Sequence, residues 1–111
     1  MVRISILYPN KPDGRFDWAY YLDTHMPLSI KLLSAGKGFK SVAIDRGLGG
    51  GAPGAPPAYV AMCHYVFDSA EDFMAAFVPH AAVLQGDMPA YTDIEPVIQF
   101  SEIAISRTAT G

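Results

Sequence analysis

The chain contains one cysteine among its 111 residues and few charged residues. A single thiol excludes a disulfide within the chain and favours a reducing compartment, so we expect a cytoplasmic protein. Cys63 lies inside an apolar run, where a thiol is predicted to pack in the core and not to act as a nucleophile. The net charge is −3 and no cluster of Lys and Arg occurs, which argues against a nucleic-acid partner.

Long hydrophobic runs are also absent. The apolar run from Val2 to Leu7 meets Pro9 almost at once and is too short for a signal-peptide core or a membrane span. We therefore expect no targeting segment and no membrane partner. Charged residues make up 17% of the chain and apolar residues 50%, whereas a typical domain carries about 25% charged residues. This balance predicts that apolar surface is covered by another subunit and lines a pocket.

Hydrophobic periodicity predicts the order strand, helix, strand, strand, helix, strand. The predicted strands span residues 2–8, 39–48, 58–67 and 96–105. The first helix is expected to run from an Asp17 cap to about residue 34, and the second to begin at an Asp68 cap. The segment 47–57 is rich in glycine and proline and is predicted to be a mobile connection, without the strand-to-helix context of a phosphate loop.

Two βαβ halves of this kind predict an α+β, ferredoxin-like sandwich with a four-stranded antiparallel sheet and both helices on one face. The domain is expected to span residues 1–106, and residues 107–111 are expected to form a flexible tail. The strand 58–67 is largely apolar on both faces, so a bare sheet face would expose apolar surface to water. A second copy of the chain is the simplest cover, and we expect a homodimer.

The segment 16–28 carries the strongest chemical signal. Four of its residues share one face of a helix, because they fall at i, i+3, i+4 and i+7: Trp18, Tyr21, Leu22 and His25. His25 is the one group on this face whose side chain exchanges protons near neutral pH. Pro27 removes a backbone donor and disfavours helical geometry at Met26, so we expect a kink just past His25. The structural alternative is a core histidine that satisfies one hydrogen bond.

Two further residues, His80 and Tyr91, are candidate ligand contacts. For His80 the alternative is a hydrogen bond to a backbone carbonyl that holds the irregular segment 83–93. His64 and Tyr65 are neighbours in a predicted strand and point to opposite faces. The pattern leaves open which of these two side chains faces a pocket.

Asp87 and Asp93 are predicted to be turn and cap residues, because each lies among turn-forming neighbours. The three histidines fall on a helix, a strand and a second helix, without the paired i, i+4 spacing of metal ligands. We therefore predict no metal site. A haem would need a larger pocket than one short domain supplies, and no cofactor is expected.

The chain resembles the EthD family, named for ethyl tert-butyl ether degradation, within the dimeric α/β-barrel superfamily. The resemblance rests on motifs that cover nearly the whole chain in order. These motifs are Leu7-Tyr8-Pro9, Phe16-Asp17, Tyr20-Tyr21, His25-Met26-Pro27-Leu28, Tyr59-Val60-Ala61, Phe67-Asp68-Ser69, Asp72-Phe73, His80, Asp87-Met88-Pro89, Tyr91-Thr92-Asp93 and the run from Pro96 to Ile103. The most specific of them are His25-x-Pro27 and Tyr91-Thr92-Asp93.

This resemblance implies a ferredoxin-like fold and a dimer whose two sheets face each other to form a barrel. It does not name a reaction, because the superfamily includes cofactor-independent monooxygenases, polyketide cyclases, lactone isomerases, haem proteins and binding domains. Its cyclases and isomerases have small hydrophobic pockets with one imidazole and one or two phenols. In this context we predict His25 and Tyr21 as catalytic residues. The predicted substrate contacts are Trp18, His80, Tyr91 and Tyr65.

Two functions compete on this basis. The first is a cofactor-free oxidoreductase, isomerase or cyclase that acts on a small hydrophobic or aromatic carbonyl compound in a degradation or biosynthesis pathway, with His25 as acid and base. The second is a non-catalytic binder that carries a hydrophobic intermediate for an oxidase system. The same pocket would serve both functions, and we favour the enzyme.

Overall fold

A computed structural model describes residues 1–109, which form a four-stranded antiparallel sheet with helices packed on one face. The strands are β1 (Val2–Pro9), β2 (Phe39–Arg46), β3 (Tyr59–Phe67) and β4 (Val97–Glu102). Their order across the sheet is β2-β3-β1-β4, so the first and third strands lie in the centre. The predicted α+β, ferredoxin-like architecture is confirmed.

The helical layer consists of two connected stretches, each interrupted by a different type of helical turn. The first contains α1 (Trp18–Tyr20), a π-helical turn (Tyr21–His25) and α2 (Met26–Ser34). The second contains α3 (Ala70–Phe77), a 3₁₀ turn (Val78–His80), α4 (Ala81–Gly86) and a second 3₁₀ turn (Met88–Ala90). No helix within residues 1–109 combines the length and the apolar character needed to cross a membrane.

The helix was expected to kink or pause just past His25, and a π-helical turn ends at this residue. In this turn the Met26 N–H donates to the carbonyl of Tyr21, five residues earlier. Met26 itself is helical, with φ −67° and ψ −39°, so the prediction that it leaves helical geometry is wrong. Pro27 lies in the first turn of α2, and the wider turn before it accommodates the ring. The helix therefore continues past His25, and the wider spacing of hydrogen bonds lies at residues 21–25.

The helix caps follow the sequence closely, with one shift. Asp17 caps α1 as predicted, because its side chain accepts a hydrogen bond from the Tyr20 N–H at 3.1 Å. The cap of α3 is Ser69 and not Asp68, so that prediction is wrong by one residue. Ser69 has the extended backbone that a cap requires, and its hydroxyl oxygen accepts from the Asp72 N–H at 3.1 Å.

Alternation along β3 assigns the two faces of the sheet. The side chains of one set are at most 1% exposed and pack under the helices: Ala61, Cys63, Tyr65 and Phe67. On the opposite face Val60, Met62 and His64 are half-buried, because no helix covers them. Tyr65 therefore faces the helical layer and His64 faces the open side, which answers the question that the sequence left open.

Three strands are shorter than predicted, β3 by a single residue. β4 ends at Glu102, which pairs with Val2, the first residue of β1, and one backbone bond from the Ile103 N–H to the Met1 carbonyl follows at 3.1 Å. β2 ends at Arg46, where the connection to β3 begins. Of the tail predicted over 107–111, residues 107–109 are exposed and lack regular structure. Residues 110 and 111 lie outside the described residues.

The connection 47–57 continues the ladder of β2 and β3 before it turns. The Gly47 N–H donates to the Val60 carbonyl at 2.9 Å, and the Gly50 N–H donates to the Ala55 carbonyl at 2.9 Å. The residues beyond Gly50 are mostly exposed. The tip is thus separated from the core by a paired stem.

We expect that deleting Ala52 and Pro53 changes the free energy of unfolding by less than about 1 kcal/mol, because closure entropy depends weakly on loop length. The deletion leaves Gly51 and Gly54 as a two-residue turn, a composition that hairpins favour. Urea denaturation of both proteins measures the difference. Gly47→Ala is the control, since a Cβ at this position would lie 2.3 Å from the Tyr59 carbonyl oxygen and should be clearly destabilising. A large loss of stability in the deletion would contradict the prediction.

Candidate functional site

A cavity of about 410 Å³ lies between the sheet and the helical layer. Most of its wall is apolar, with contributions from Ile6, Leu33, Phe73, Phe77, Leu84 and Met88. Its polar lining comes from His25, Tyr8, Tyr91, Ser29 and Tyr65, together with the exposed residues Gln85 and Glu95. A mainly apolar cavity of this size with a few convergent polar groups is typical of a small-molecule site.

His25 is the imidazole of this cavity and is held by a carboxylate. It is the last residue of the π-helical turn and is 7% exposed. Its Nδ1 lies 2.9 Å from Oδ2 of Asp87, which directly follows α4. The Tyr20 hydroxyl donates to the other carboxylate oxygen, Oδ1, at 2.6 Å. Asp87 therefore links the two helical stretches at the edge of the cavity.

The charge of Asp87 fixes the tautomer of the His25 ring. Burial raises the pKa of Asp87, but the hydrogen bonds from Tyr20 and His25 outweigh this effect and hold the pKa below its ordinary value. The carboxylate is thus ionised near neutral pH and accepts hydrogen bonds without donating any. In the neutral ring the hydrogen must therefore lie on Nδ1, and Nε2 carries a free lone pair.

Two tyrosine hydroxyls lie next to Nε2 of His25. The Tyr91 oxygen is 3.5 Å from Nε2 and 2.8 Å from the Tyr8 oxygen. Burial raises the pKa of Tyr8 to about 12 and raises the pKa of Tyr91 as well, so both phenols stay protonated near neutral pH. The contact at 3.5 Å is too long to hold Nε2 firmly, which leaves this nitrogen available to a ligand.

A second pair of hydroxyls lines the same cavity. The Ser29 Oγ and the Tyr65 hydroxyl oxygen are 2.7 Å apart, and both residues are buried. Burial raises the pKa of Tyr65, and the hydrogen bond with Ser29 lowers it only in part. Ser29 lies on α2, four residues after His25, so both side chains project from the same helical face.

The structure brings three of the predicted site residues to the cavity: His25, Tyr65 and Tyr91. Tyr21 is 1% exposed and stacks on the His25 ring at 5.8 Å between ring centroids, but it does not line the cavity. Trp18 packs against Phe16, and the Arg46 guanidinium lies 4.9 Å from the centre of its ring. Neither Tyr21, predicted as a catalytic residue, nor Trp18, predicted as a substrate contact, lines the cavity beside His25.

The irregular segment 83–93 contributes to the cavity through Leu84, Gln85, Met88 and Tyr91. His80 does not line it, and its ring makes no hydrogen bond within residues 1–109. The segment is held instead by its own polar groups, for example by the Tyr91 carbonyl, which accepts from the Asp17 N–H at 2.7 Å. Asp93 was predicted to be a turn or cap residue, but its carboxylate accepts from the N–H of Arg15, which lies 78 residues earlier, at 2.7 Å.

Three residues of the site were absent from the prediction: Tyr8 and Ser29, which line the cavity, and Asp87, which bonds to His25. Asp87 was expected to serve the local turn, and nothing in its neighbourhood indicates a partner 62 residues away. Tyr8 follows Ile4 and Ile6 on the inner side of β1, so its place under the helices was readable from alternation. Ser29 gave a weaker signal, its spacing of four residues from His25.

His64 lies on the open sheet face, away from the cavity. Its Nδ1 is 2.8 Å from the Ser5 hydroxyl oxygen, and its Nε2 is 3.5 Å from a carboxylate oxygen of Asp45. Within the part of the chain that the structure describes, no three His, Cys, Asp or Glu side chains come together as metal ligands would. Cys63 is buried, and burial raises the pKa of its thiol to about 12. This thiol is a packing residue and not an activated nucleophile.

Comparison with known proteins agrees with this architecture. The model of the EthD domain matches residues 14–95. A solved EthD-like protein from Ralstonia eutropha JMP134 is 45% identical, with a TM-score of 0.88 over 96% of this chain and 95% of that one. A solved EthD family protein from Bacillus halodurans C-125 is 20% identical and supports the fold alone, with a TM-score of 0.61 over 92% of this chain and 97% of that one.

None of the curated proteins compared with the chain matches it significantly. The EthD match itself contains the π-helical turn, His25 and the Asp87 carboxylate that holds it. It also covers most of the sequence, and the similarity to the Ralstonia eutropha protein extends over nearly all of it. The chain therefore belongs to the EthD family.

Proposed function

We propose that the protein is a cofactor-free enzyme that moves a proton on a small hydrophobic or aromatic carbonyl compound. It would serve a degradation or biosynthesis pathway as an isomerase or cyclase, or as an oxidoreductase in which molecular oxygen takes the electrons of the deprotonated substrate. The observation that carries the proposal is the geometry of His25. Its Nδ1 is bound to the ionised Asp87, and the residue lines a mainly apolar cavity. A fixed imidazole with a free Nε2 at a ligand cavity is the arrangement of a general base.

The proposed step begins with a substrate that has a hydrogen on the carbon next to its carbonyl group. Nε2 of His25 takes this hydrogen as a proton, the C–H electron pair forms the carbon–carbon double bond, and the carbonyl oxygen becomes an enolate. The Asp87 carboxylate stabilises the imidazolium that results. Return of the proton to a different atom completes an isomerisation and restores the neutral ring.

Deuterium exchange tests this step without knowledge of the natural substrate. We expect the wild-type protein to catalyse exchange of the hydrogens next to the carbonyl of 1-tetralone in D₂O, measured by NMR. His25→Ala should lower the rate by roughly 10²- to 10⁴-fold, the usual worth of a positioned general base. His80→Ala is the control and should leave the rate unchanged, because His80 does not line the cavity.

Equal rates for wild type and His25→Ala would contradict the assignment of His25 as the base. The non-catalytic binder predicts a different pattern. Ligand would raise the melting temperature of wild type and His25→Ala alike, and neither protein would accelerate exchange above the buffer rate.

We further propose that the protein forms a homodimer through the open face of the sheet. This face contains Leu7, Val60, Met62 and Val66, which no helix covers. On the same face the Ser5 hydroxyl and the His64 ring bond to each other. Covering these two groups therefore costs less than burying isolated polar groups would.

A further inference from the structure

We propose that Ser29 and Tyr65 form a binding subsite for the carbonyl oxygen of the ligand. This inference deepens the proposed function and rests on it for the choice of a carbonyl substrate. The two hydroxyl oxygens are 2.7 Å apart and both residues line the cavity that contains His25. The subsite would accept an oxygen atom that takes hydrogen bonds, as in an aromatic ketone, and not an apolar group.

The Ser29 and Tyr65 hydroxyls have one O–H hydrogen more than their mutual hydrogen bond uses. Each hydroxyl has one O–H hydrogen, and the bond between Ser29 and Tyr65 uses one of the two. Within residues 1–109 neither hydroxyl makes another hydrogen bond. Ser29 is 5% exposed and Tyr65 is 1% exposed, so bulk water has little access to the remaining donor. A buried donor without an acceptor is costly, and an acceptor supplied by a ligand in the cavity would remove that cost.

The polar groups on the other side of the cavity are balanced differently. Tyr8 and Tyr91 together offer two O–H hydrogens. Without a ligand, those hydrogens have two acceptors nearby: one of the tyrosine oxygens and, across the long contact of 3.5 Å, Nε2 of His25. Nε2 gives up this weak contact when it takes a proton from the substrate. In the empty cavity the surplus O–H hydrogen therefore lies at Ser29 and Tyr65, so we expect the ligand oxygen at this pair and the exchangeable hydrogen of the ligand near Nε2.

The spacing of the two ends suits one small substrate. Ser29 follows His25 by four residues on the helix, a rise of about 6 Å. A ketone whose oxygen accepts from Ser29 or Tyr65 at about 2.8 Å places its neighbouring carbon within reach of a base one helical turn away. The same donors would strengthen their hold on the oxygen as it becomes an enolate, because a charged acceptor binds more tightly than a neutral one.

The binding of 1-tetralone and of tetralin, its analogue without the oxygen, tests the subsite. Both dissociation constants are measured on the purified full chain, for wild type and for the double variant Ser29→Ala/Tyr65→Phe. We expect the ratio of the tetralone to the tetralin dissociation constant to rise about tenfold in the double variant, the usual worth of a neutral hydrogen bond. Tetralin affinity itself should change by less than about twofold, because the apolar wall is unaltered.

The remaining outcomes are also decisive. An unchanged ratio would place the oxygen elsewhere and overturn the proposal, as would a failure of wild type to bind either probe at its solubility limit. If the double variant loses affinity for both probes to the same extent, the hydroxyls only shape the cavity, and the proposal is also overturned. If the double variant does not fold, Ser29→Ala alone decides through the same ratio. His25→Ala should keep the wild-type ratio of the two dissociation constants. If this variant loses deuterium exchange but keeps the ratio, the subsite and the catalytic role of His25 are tested independently of each other.

Discussion

Lysine at position 61 is expected to unfold the protein, whereas lysine at position 62 should leave the fold intact and separate the dimer. Ala61 is 0% exposed and faces the helical layer. A charged side chain at this position would have to enter the core without a partner, at a cost of several kcal/mol, comparable with the total stability of about 5–15 kcal/mol of a small domain. Met62 points to the open sheet face, where the isolated chain can accommodate a lysine in solvent.

The proposed dimer follows from the area that the open face offers. Pairing of two such faces would bury on the order of 1,500 Å², which is the size of a standard stable interface between proteins. Analytical ultracentrifugation of the wild-type protein should therefore give a mass near 24 kDa, about twice the 12.0 kDa of one chain. Met62→Lys should sediment near the mass of one chain and keep the circular dichroism of the wild type, while Ala61→Lys should lose it.

Each departure from this pattern has a definite meaning. A wild-type protein that is monomeric at micromolar concentration would rule out the barrel dimer. If Met62→Lys still sediments as a dimer, the two copies associate through another surface. A folded Ala61→Lys protein would contradict the assignment of faces along β3, from which the cavity side of Tyr65 was derived.

The fold was predictable because its signals are local. Alternation with a period of two identified all four strands, and the caps limited the helix starts to within one residue. Strand ends were less predictable, since a strand stops where its partner stops. β4 ends opposite Val2, and the sequence around Glu102 contains nothing that marks this limit.

The site was predictable in part, for a related reason. His25 stood out because it is a titratable group on an apolar helical stripe. Trp18 was placed on the same stripe by assuming about 100° of rotation per residue throughout the helix. The π-helical turn between Trp18 and His25 adds a residue to one turn and breaks that register. Asp87 was missed because its local turn explained it fully, whereas its contact with His25 depends on how two distant helices pack.

Replacing Asp87 with asparagine is expected to reverse the tautomer of His25 and to abolish most proton transfer. Two donors, the His25 ring and the Tyr20 hydroxyl, now share the two carboxylate oxygens of Asp87. Asparagine has a single oxygen for both, so with Tyr20 on that oxygen the amide NH₂ faces Nδ1. Nδ1 must then accept, the ring hydrogen moves to Nε2, and the nitrogen that faces the cavity can no longer take a proton.

Two measurements check this expectation, and neither depends on the natural substrate. Long-range ¹H–¹⁵N NMR of the neutral His25 ring should find the hydrogen on Nδ1 in wild type and on Nε2 in Asp87→Asn. The deuterium exchange of 1-tetralone should fall by roughly 10²-fold or more in the variant, since the base is lost and the imidazolium loses its counter-charge.

Asp93→Asn is the matched control, because Asp93 also has a lowered pKa but bonds to the Arg15 N–H outside the cavity. If Asp87→Asn lowers the exchange rate but keeps the ring hydrogen on Nδ1, then Asp87 acts only by stabilising the imidazolium with its negative charge, and the predicted change of tautomer is wrong. An unchanged rate would refute its role as the residue that positions His25, because a merely structural carboxylate has no reason to govern proton transfer at Nε2.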